Sequence, residues 1–384
     1  MASIAHFPVF ALVAGEASGD TLGADLIQEL KSRYPHARFV GIGGPKMQAL
    51  GFESWVPMEK LSVMGLFEVL KHLPELLKIR KNLIQNLLAL KPNVFIGIDA
   101  PDFNFAVERQ LKAAGIPTVH YVGPSVWAWR EKRLEKIKHA VDGMLVLFPF
   151  EPPIYDKYQI PVQYVGHPLA NQVPETPNVQ RARKKLGLPE QGQFTGILPG
   201  SRMSEIDKMA DIYIQAARQL ALLYPQMQFL GPCVHEKARQ RMQQAIDQFA
   251  PQLPIHLYRQ QAQTVMEASD QLIVTSGTAT LEAALMQRPM VLSIKVHPIS
   301  YWIMKRLATT QWIGLPNILA QQSIVPELIQ QAATPEKIAL ELGRLVVDIP
   351  KRTEQLTAFK KQAELLKQPS AKLASDAICR WANL

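Results

Sequence analysis

The 384-residue chain has only two cysteines, Cys233 and Cys379. They lie far apart and match no metal or redox spacing, which excludes a disulfide scaffold or a zinc module and points to a reducing, cytoplasmic setting. No run approaches the ~18 uncharged apolar residues that a membrane span requires, so any membrane contact is expected to be peripheral. The start, Phe7 to Ala14, has the apolar character of a signal core but lacks a basic flank, and Glu16 and Asp20 follow at once; it reads as a first buried strand. There is no G-x-S-x-G elbow, no H-E-x-x-H and no G-x-x-x-x-G-K-[ST], which removes the commonest hydrolase, zinc-peptidase and P-loop chemistries. No D-x-D type of carboxylate cluster asks for a divalent cation. No metal or cofactor is therefore expected.

Apolar content of 47% and charged content of 20% belong to an ordinary globular chain long enough for two domains. The 42 basic residues outnumber 33 acidic ones, giving a net charge of +9. That favours an anionic partner, either a phosphate ligand or an acidic lipid surface. Nucleic acid ranks last, because no DNA- or RNA-binding signature accompanies the charge.

Short apolar runs alternate with helical patterns from end to end. The runs are 9–13, 38–42, 94–98, 118–122, 144–147 and 163–165, then 194–198, 228–230, 255–257, 272–274 and 290–292. Such alternation means βαβ units and parallel sheets. It is interrupted at His167-Pro-Leu-Ala-Asn-Gln-Val-Pro-Glu-Thr-Pro177, where three prolines mark a boundary. The expected organisation is a Rossmann-like domain over 1–170, a second over 171–345 and C-terminal helices over 346–384 that pack back on the first domain. Two Rossmann-like halves facing each other across a cleft are the α/β architecture called GT-B. There the C-terminal half holds the nucleotide, the N-terminal half holds the acceptor, and ligands sit at the carboxyl ends of the strands.

Two turns in the second half carry most of the chemical information. Leu198-Pro-Gly-Ser-Arg202 and Thr275-Ser-Gly-Thr-Ala-Thr-Leu-Glu282 each follow an apolar run and open a helical pattern. A strand, a small-residue turn and a helix N-terminus direct unpaired N–H groups and the helix dipole at an anion. Arg202 adds a planar fork suited to phosphate. Ser276, Gly277 and Thr278 form the second turn, and Glu282 is placed to accept hydrogen bonds from ribose hydroxyls. Two such turns suggest a nucleotide diphosphate, as in a nucleotide-sugar. Glu205 and Asp207 read as first-turn helix charges.

In the first half, Gly15-Glu-Ala-Ser-Gly-Asp20 follows the first strand. Its glycines permit close backbone approach to a ligand, while Ser18 or Asp20 could equally cap the helix over 21–30. The motif is not G-x-G-x-x-G. Asp99, in Ile98-Asp-Ala-Pro-Asp-Phe-Asn104, ends the most hydrophobic strand of this half and is the candidate general base; Asp102 reads as a helix cap. Glu16 and Asp20 are the next candidates. Trp127, Trp129 and Arg130 share one loop, where sugar or acyl contact and packing are equally open. His167 reads as a structural histidine at the hinge. Over 61–90 a basic, apolar hairpin is expected. Leu83, Ile84, Leu87 and Leu88 read as core. Phe67, Val69, Leu70, Leu73, Leu76 and Leu77, with Lys71, Lys78, Arg80 and Lys81, exceed one helix face and suit an anionic membrane surface.

Taken together, Ala14-Gly-Glu-Ala-Ser-Gly-Asp20, Val63-Met-Gly65, Gly97 to Asn104, Pro124-Ser-Val-Trp-Ala-Trp-Arg130, Leu198 to Arg202, Ser276 to Thr278 with Glu282, and Leu315-Pro-Asn317 resemble the lipid-A-disaccharide synthase family, inverting GT-B glycosyltransferases. The likeness runs from Val13 to about Ala320, with one departure: Gly123 stands where the family pattern has Ser. The resemblance implies that UDP-2,3-diacylglucosamine donates its sugar to the 6-hydroxyl of 2,3-diacylglucosamine 1-phosphate, without metal, at the cytoplasmic face of the inner membrane. It also adds Asn317 to the expected substrate contacts. A homodimer is left open. A non-hydrolysing UDP-sugar epimerase and a non-catalytic nucleotide-sugar binding protein are the alternatives; the first should lack the apolar segment, and the second needs no carboxylate at Asp99.

Overall fold

The apolar runs become parallel strands, whose two faces must both be covered by helices because each crossover returns over the sheet. The structure, a computed structural model, describes residues 7–61, 66–125, 133–174, 177–275, 277–308 and 310–384; for 66–71, 299–300 and 303–304 it describes the backbone alone. The chain divides into two compact units, Met1–Pro168 with Leu366–Leu384, and Leu169–Leu365.

The first unit carries strands β1 (Val9–Ala14), β2 (Arg38–Ile42), β3 (Glu53–Ser54), β4 (Val94–Ile98), β5 (Thr118–Tyr121), β6 (Gly143–Val146) and β7 (Val162–Tyr164), in spatial order β3-β2-β1-β4-β5-β6-β7. All pairings are parallel, with Ala14 opposite Ile98 at the β1–β4 join. The two-residue period of a strand divides β1 cleanly. Phe10, Leu12 and Ala14 enter a core with the helices Ala17–Arg33 and Ser370–Ala382, while Ala11 and Val13 enter the opposite core with the helices Leu66–Leu90 and Pro101–Ala113.

The second unit repeats the plan with β8 (Gln193–Leu198), β9 (Met227–Cys233), β10 (Ile255–Arg259), β11 (Gln271–Val274), β12 (Met290–Ile294) and β13 (Glu327–Ile329), in order β10-β9-β8-β11-β12-β13. Both sheets thus reverse strand order once, at β1/β4 and at β8/β11. Loops on either side of such a switch point leave toward opposite faces and open a crevice at the strand ends. A buried Arg183 pins the start of this unit. Its guanidinium forks onto Asp270 at 2.9 and 3.0 Å, donates to Ala268 O at 3.0 Å and lies 4.6 Å from the Phe194 ring.

Two expectations need correction. The segment over 61–90 is no hairpin: residues Leu66–Leu90 form one helix, with Pro74 inside it. Its second half buries Ile79, Leu83, Ile84 and Leu87 at helical spacing. The C-terminal helices, moreover, do not act together. Helix Ile349–Leu366 lies almost wholly in the second unit, where Gln355 exchanges hydrogen bonds with the Met290 backbone and Phe359 is buried. Only Ser370–Ala382 returns to the first unit. There Ala374, Ala377 and Ile378 join the core, Asp376 pairs with Arg33 at 2.6 Å, and Trp381 fills the notch left by Gly143.

Two titratable groups are buried at the carboxyl end of the first sheet. Glu151 accepts from Leu147 N and Phe148 N at 3.1 and 2.9 Å, yet burial pushes its carboxyl up to about 8. Burial likewise pushes His167 down to about 4, so it is neutral at pH 7, as a structural histidine should be. Their effects on stability have opposite signs. The folded state keeps a proton on Glu151 between its ordinary 4.5 and about 8 that the unfolded chain has released, so stability falls as pH rises through that window. His167 makes stability fall as pH drops from 6.5 toward 4. The difference in unfolding free energy between wild type and Glu151→Gln, followed by urea titration from pH 5 to 9, should therefore shrink with rising pH up to about 8 and then level off. A difference independent of pH would show that Glu151 is ionised in the fold.

Candidate functional site

The crevice at the β8/β11 switch point is a cavity of about 510 Å³, within the range of small-molecule sites. Its walls are the two turns singled out in the sequence, Leu198–Arg202 and Thr275 with Gly277–Ala279, together with Glu205, Pro232–Val234, Gln260, Ala262, Met266 and Glu282. Gly277 sits at φ 123°, a conformation in which any side chain is strained, and open space surrounds the position a Cβ would take. It is the N-cap of helix Thr278–Leu285 and offers that helix no side-chain cap, so a helix N-terminus borders the cavity. The carboxylate of half-buried Glu282 makes no hydrogen bond or ion pair among the described residues and lines the same cavity. Burial pushes the Cys233 thiol up to about 11, which makes it a protonated wall of the cavity rather than a nucleophile.

The β8 turn is built around Glu205. Gly200, at φ 110°, leaves room for the Glu205 carboxylate, which a Cβ there would meet at 2.4 Å. That carboxylate accepts from Ser201 N at 3.2 Å and Arg202 N at 3.4 Å, and pairs with Arg202 Nη1 at 3.1 Å. Glu205 therefore reaches back to satisfy the N–H of the N-cap residue Arg202 and is more than a first-turn charge. Arg202 is three-quarters exposed at the mouth of the cavity. Thr275 is fixed from below by Tyr213, whose hydroxyl lies 2.9 Å from Thr275 Oγ1 and 2.6 Å from Ser293 O. Nothing in the sequence pattern marked Tyr213.

At the β1/β4 switch point of the first unit, Gly15 lies against Ala100, 3.3 Å from its Cβ when a Cβ is built on the glycine. Glu16 is exposed and N-caps helix Ala17–Arg33 with its backbone only; Ser18 is exposed in the first turn. Asp20 is neither a cap of this helix nor available as a base. It is 2% exposed, and its carboxylate accepts from Gly44 N, Lys46 N and Met47 N at 3.0–3.1 Å, holding the helix Pro45–Ala49 instead. Asp99 is partly exposed at the end of β4, in the left-handed conformation at φ 53°, followed by Ala100 at φ 44°. Consecutive left-handed residues that are not glycine are costly and cluster at functional sites. Asp102 does not cap: it is 91% exposed and pairs with Arg133. Gly123 is explained by packing, since a Cβ there would lie 2.5 Å from the Tyr155 hydroxyl and 3.2 Å from Glu151 Oε1.

With both switch points described, comparison with known proteins is informative. Residues 10–380 match the model of the family described as lipid-A-disaccharide synthetase. A lipid-A-disaccharide synthase from Hydrogenovibrio crunogenus is 65% identical over 373 residues, 97% of this chain and 99% of that one.

The chain belongs to the lipid-A-disaccharide synthase family.

The likeness to solved structures is one of fold. A UDP-GlcNAc 2-epimerase from Neisseria meningitidis, bound to UDP-GlcNAc, aligns over 97% of both chains with a TM-score of 0.61 and 13% identity. The glycotransferase of kitacinnamycin aligns over 97% of this chain and 99% of its own, with a TM-score of 0.62 and 15% identity. The fold is thus the GT-B class of two Rossmann-like domains. Epimerases share it, and the family match is what sets them aside.

Measured against the residues expected of a lipid-A-disaccharide synthase, the β8/β11 crevice brings together Arg202, Gly277, Thr278 and Glu282. Ser276, Trp127 and Trp129 lie outside the described residues, as do the side chains of Phe67, Val69 and Leu70. Leu73 and Leu77 are 41% and 44% exposed, and Leu76 is half-buried. Among the described residues no group of three or more His, Cys, Asp or Glu is arranged to hold a metal ion, and no helix is long and apolar enough to cross a membrane.

Asn317 needs correction. It is fully buried, outside the cavity, and its amide is saturated: Nδ2 donates to Val325 O and Glu327 Oε1, and Oδ1 accepts from Ile324 N and Val325 N, all at 2.8 Å. It holds the loop before β13. Asn317→Ala should cost stability, about 1–3 kcal/mol for each buried group left unpaired, while the Kd for UDP stays within about threefold of wild type. Urea unfolding and calorimetric titration check this; a large loss of UDP affinity with unchanged stability would return Asn317 to the ligand site.

Proposed function

We propose that this chain condenses UDP-2,3-diacylglucosamine with 2,3-diacylglucosamine 1-phosphate, releasing UDP and the β-1,6-linked disaccharide 1-phosphate. The supporting observation is the pair of anion-ready turns at the β8/β11 switch point, which line one cavity with an exposed Arg202 at its mouth and an uncommitted Glu282 in its wall. In this reading Arg202 and the turn Ser276–Thr278 take the diphosphate and Glu282 takes the ribose. Glu16 and Ser18, exposed beside the β1/β4 switch point, face the acceptor.

An α-linked donor that yields a β-linkage reacts by a single in-line displacement. The acceptor O6 forms the new bond to the anomeric carbon as the bond to the β-phosphate oxygen breaks, and UDP leaves with the electron pair. The O6 proton passes to Asp99, the base in this reading. Negative charge grows on the departing diphosphate and is met by N–H groups and a guanidinium already in place. No metal is invoked.

Arg202→Ala should lower turnover on the order of 10²-fold or more, and Arg202→Lys should not restore it, because the ammonium cannot donate two parallel bonds. Turnover should persist in EDTA; activity that needs added Mg²⁺ would overturn the metal-free reading. Asp99→Asn preserves shape and removes the proton acceptor, so kcat should fall by roughly 10²–10⁴-fold with donor affinity little changed. Near-wild-type turnover in that variant would exclude Asp99, leaving Glu16 to be tested.

The stretch His72–Lys78 of helix Leu66–Leu90, exposed apart from half-buried Leu76, is proposed to seat the protein on an anionic membrane where its acylated substrates reside, with Lys71, Lys78, Arg80 and Lys81 contributing up to about 1 kcal/mol each near the surface. Replacing Leu73, Leu76 and Leu77 with Ser should weaken binding to anionic liposomes, more so in salt, and leave UDP binding intact. Unfolding of that variant would mean that these leucines are core.

A further inference from the structure

Beneath the Asp99–Ala100 turn lies a polar cluster that the reaction itself does not use. Asn104, Glu108 and His120 are each 0% exposed. Asn104 and Glu108 are one helical turn apart on Pro101–Ala113, and His120 stands opposite Gly97 in the β4–β5 register. The three meet over Gly97. A Cβ on that glycine would fall 2.2 Å from Glu108 Oε1 and 2.9 Å from Asn104 Cβ, so only glycine leaves the space. Glu108 Oε1 and His120 Nδ1 are 2.8 Å apart, and the Phe105 ring stacks on the imidazole at 4.3 Å. From this seat the Asn104 amide reaches up: Nδ2 donates to Asp99 O at 2.8 Å and approaches Ile98 O at 3.5 Å. On the other side, Asp99 N donates to Tyr121 O at 2.8 Å.

The cluster is costly to bury. Asn104 Oδ1, Glu108 Oε2 and His120 Nε2 all lack a hydrogen-bond partner, and burial raises the Glu108 carboxyl above its ordinary range, with His120 opposing the shift. Apolar residues would fill the same space without unpaired atoms. The shortest side-chain bond that leaves the cluster goes to the backbone of Asp99, at a turn of two left-handed residues, of which Ala100 has no side chain that favours the conformation.

We infer that Asn104 is a positioning residue for Asp99, latching the left-handed Asp99–Ala100 turn so that the carboxylate is held toward the acceptor, and that the Glu108–His120 pair over Gly97 is the seat that holds the latch. The inference rests on Asp99 as the base. Positioning of this kind is worth much in rate, because a misplacement of about 1 Å can cost on the order of 10²-fold.

A double-mutant cycle on the full-length enzyme, with kcat and donor KM measured per folded molecule, tests it. Asn104→Ala should lower kcat about 10- to 100-fold with donor KM unchanged. In the Asp99→Asn background the same substitution should add less than about threefold, since there is no longer a base to aim. Ala100→Gly, which accepts positive φ without strain, should recover part of the loss in Asn104→Ala. Should Asn104→Ala fail to fold, Glu108→Leu, which removes the seat and keeps the latch, is carried through the same cycle. Multiplicative losses in the double variant, or a kcat unchanged by either substitution, would overturn the positioning role and leave Asp99 standing. An Asp99→Asn enzyme with full turnover would instead overturn the reading of the base.

Discussion

The constraint on which the rest of the structure depends is the direction of parallel strands. Within each sheet every strand runs the same way, so every strand end that can carry chemistry lies on one edge of that sheet. Where the order reverses, at β1/β4 and β8/β11, the two connections must part to opposite faces. Of the gaps between neighbouring strand ends, those are the ones that the backbone itself leaves open. The Gly15 and Asp99 turns flank the first, and the Pro199–Arg202 and Thr275–Thr278 turns flank the second. No other feature of the fold has to be arranged for a site to exist at these places.

An open crevice imposes a second requirement, because turns at its rim lack the ladder bonds of the strands below. Three of these four turns are braced by a polar side chain. Asn104 holds Asp99, Glu205 holds Ser201 and Arg202, and Tyr213 holds Thr275. Asp20 acts one step out, ordering the helix beyond β2. Such braces need small neighbours, which accounts for Gly97 under Glu108, Gly200 against Glu205 and Gly44 against Asp20. The glycines of the rim thus serve the braces, in addition to leaving room at the turns.

The sequence revealed the rim and concealed the braces, for a physical reason. Strand ends follow from apolar runs, which are local, so Asp99, Arg202 and Glu282 could be placed without coordinates. β3 and β13 were missed because two- and three-residue edge strands carry no period. The braces are marked by no sequence period, and Tyr213 reaches Thr275 from 62 residues away. Asp20 reads as a cap of its own helix, since that is where an acidic residue after a small-residue turn is usually spent; its actual partners lie 24–27 residues on. Asn317 sits in a motif whose residues invite a ligand, yet its four bonds all go to residues 324–327. The stretch over 61–90 reads as a hairpin because its apolar residues exceed one helix face; the structure instead makes Leu66–Leu90 one helix, with an exposed Pro74 inside it.

Arg202 shows how a brace and a ligand can share one side chain. Its pairing with Glu205 is largely exposed on the arginine side, so the pair contributes little by itself, about 0–1 kcal/mol. A tight internal ion pair would have to be broken before an anion could bind. A weak one has a different effect: it occupies one Nη1 hydrogen with Glu205 and leaves the other donors of the three-quarters exposed guanidinium available. Glu205 also draws the Ser201 and Arg202 N–H groups to the same side of the turn. In the proposed reading a diphosphate arriving there competes with one exposed ion pair rather than a buried one, and that pair adjusts at small cost. That arrangement explains why a carboxylate stands beside a phosphate-seeking arginine without cancelling it.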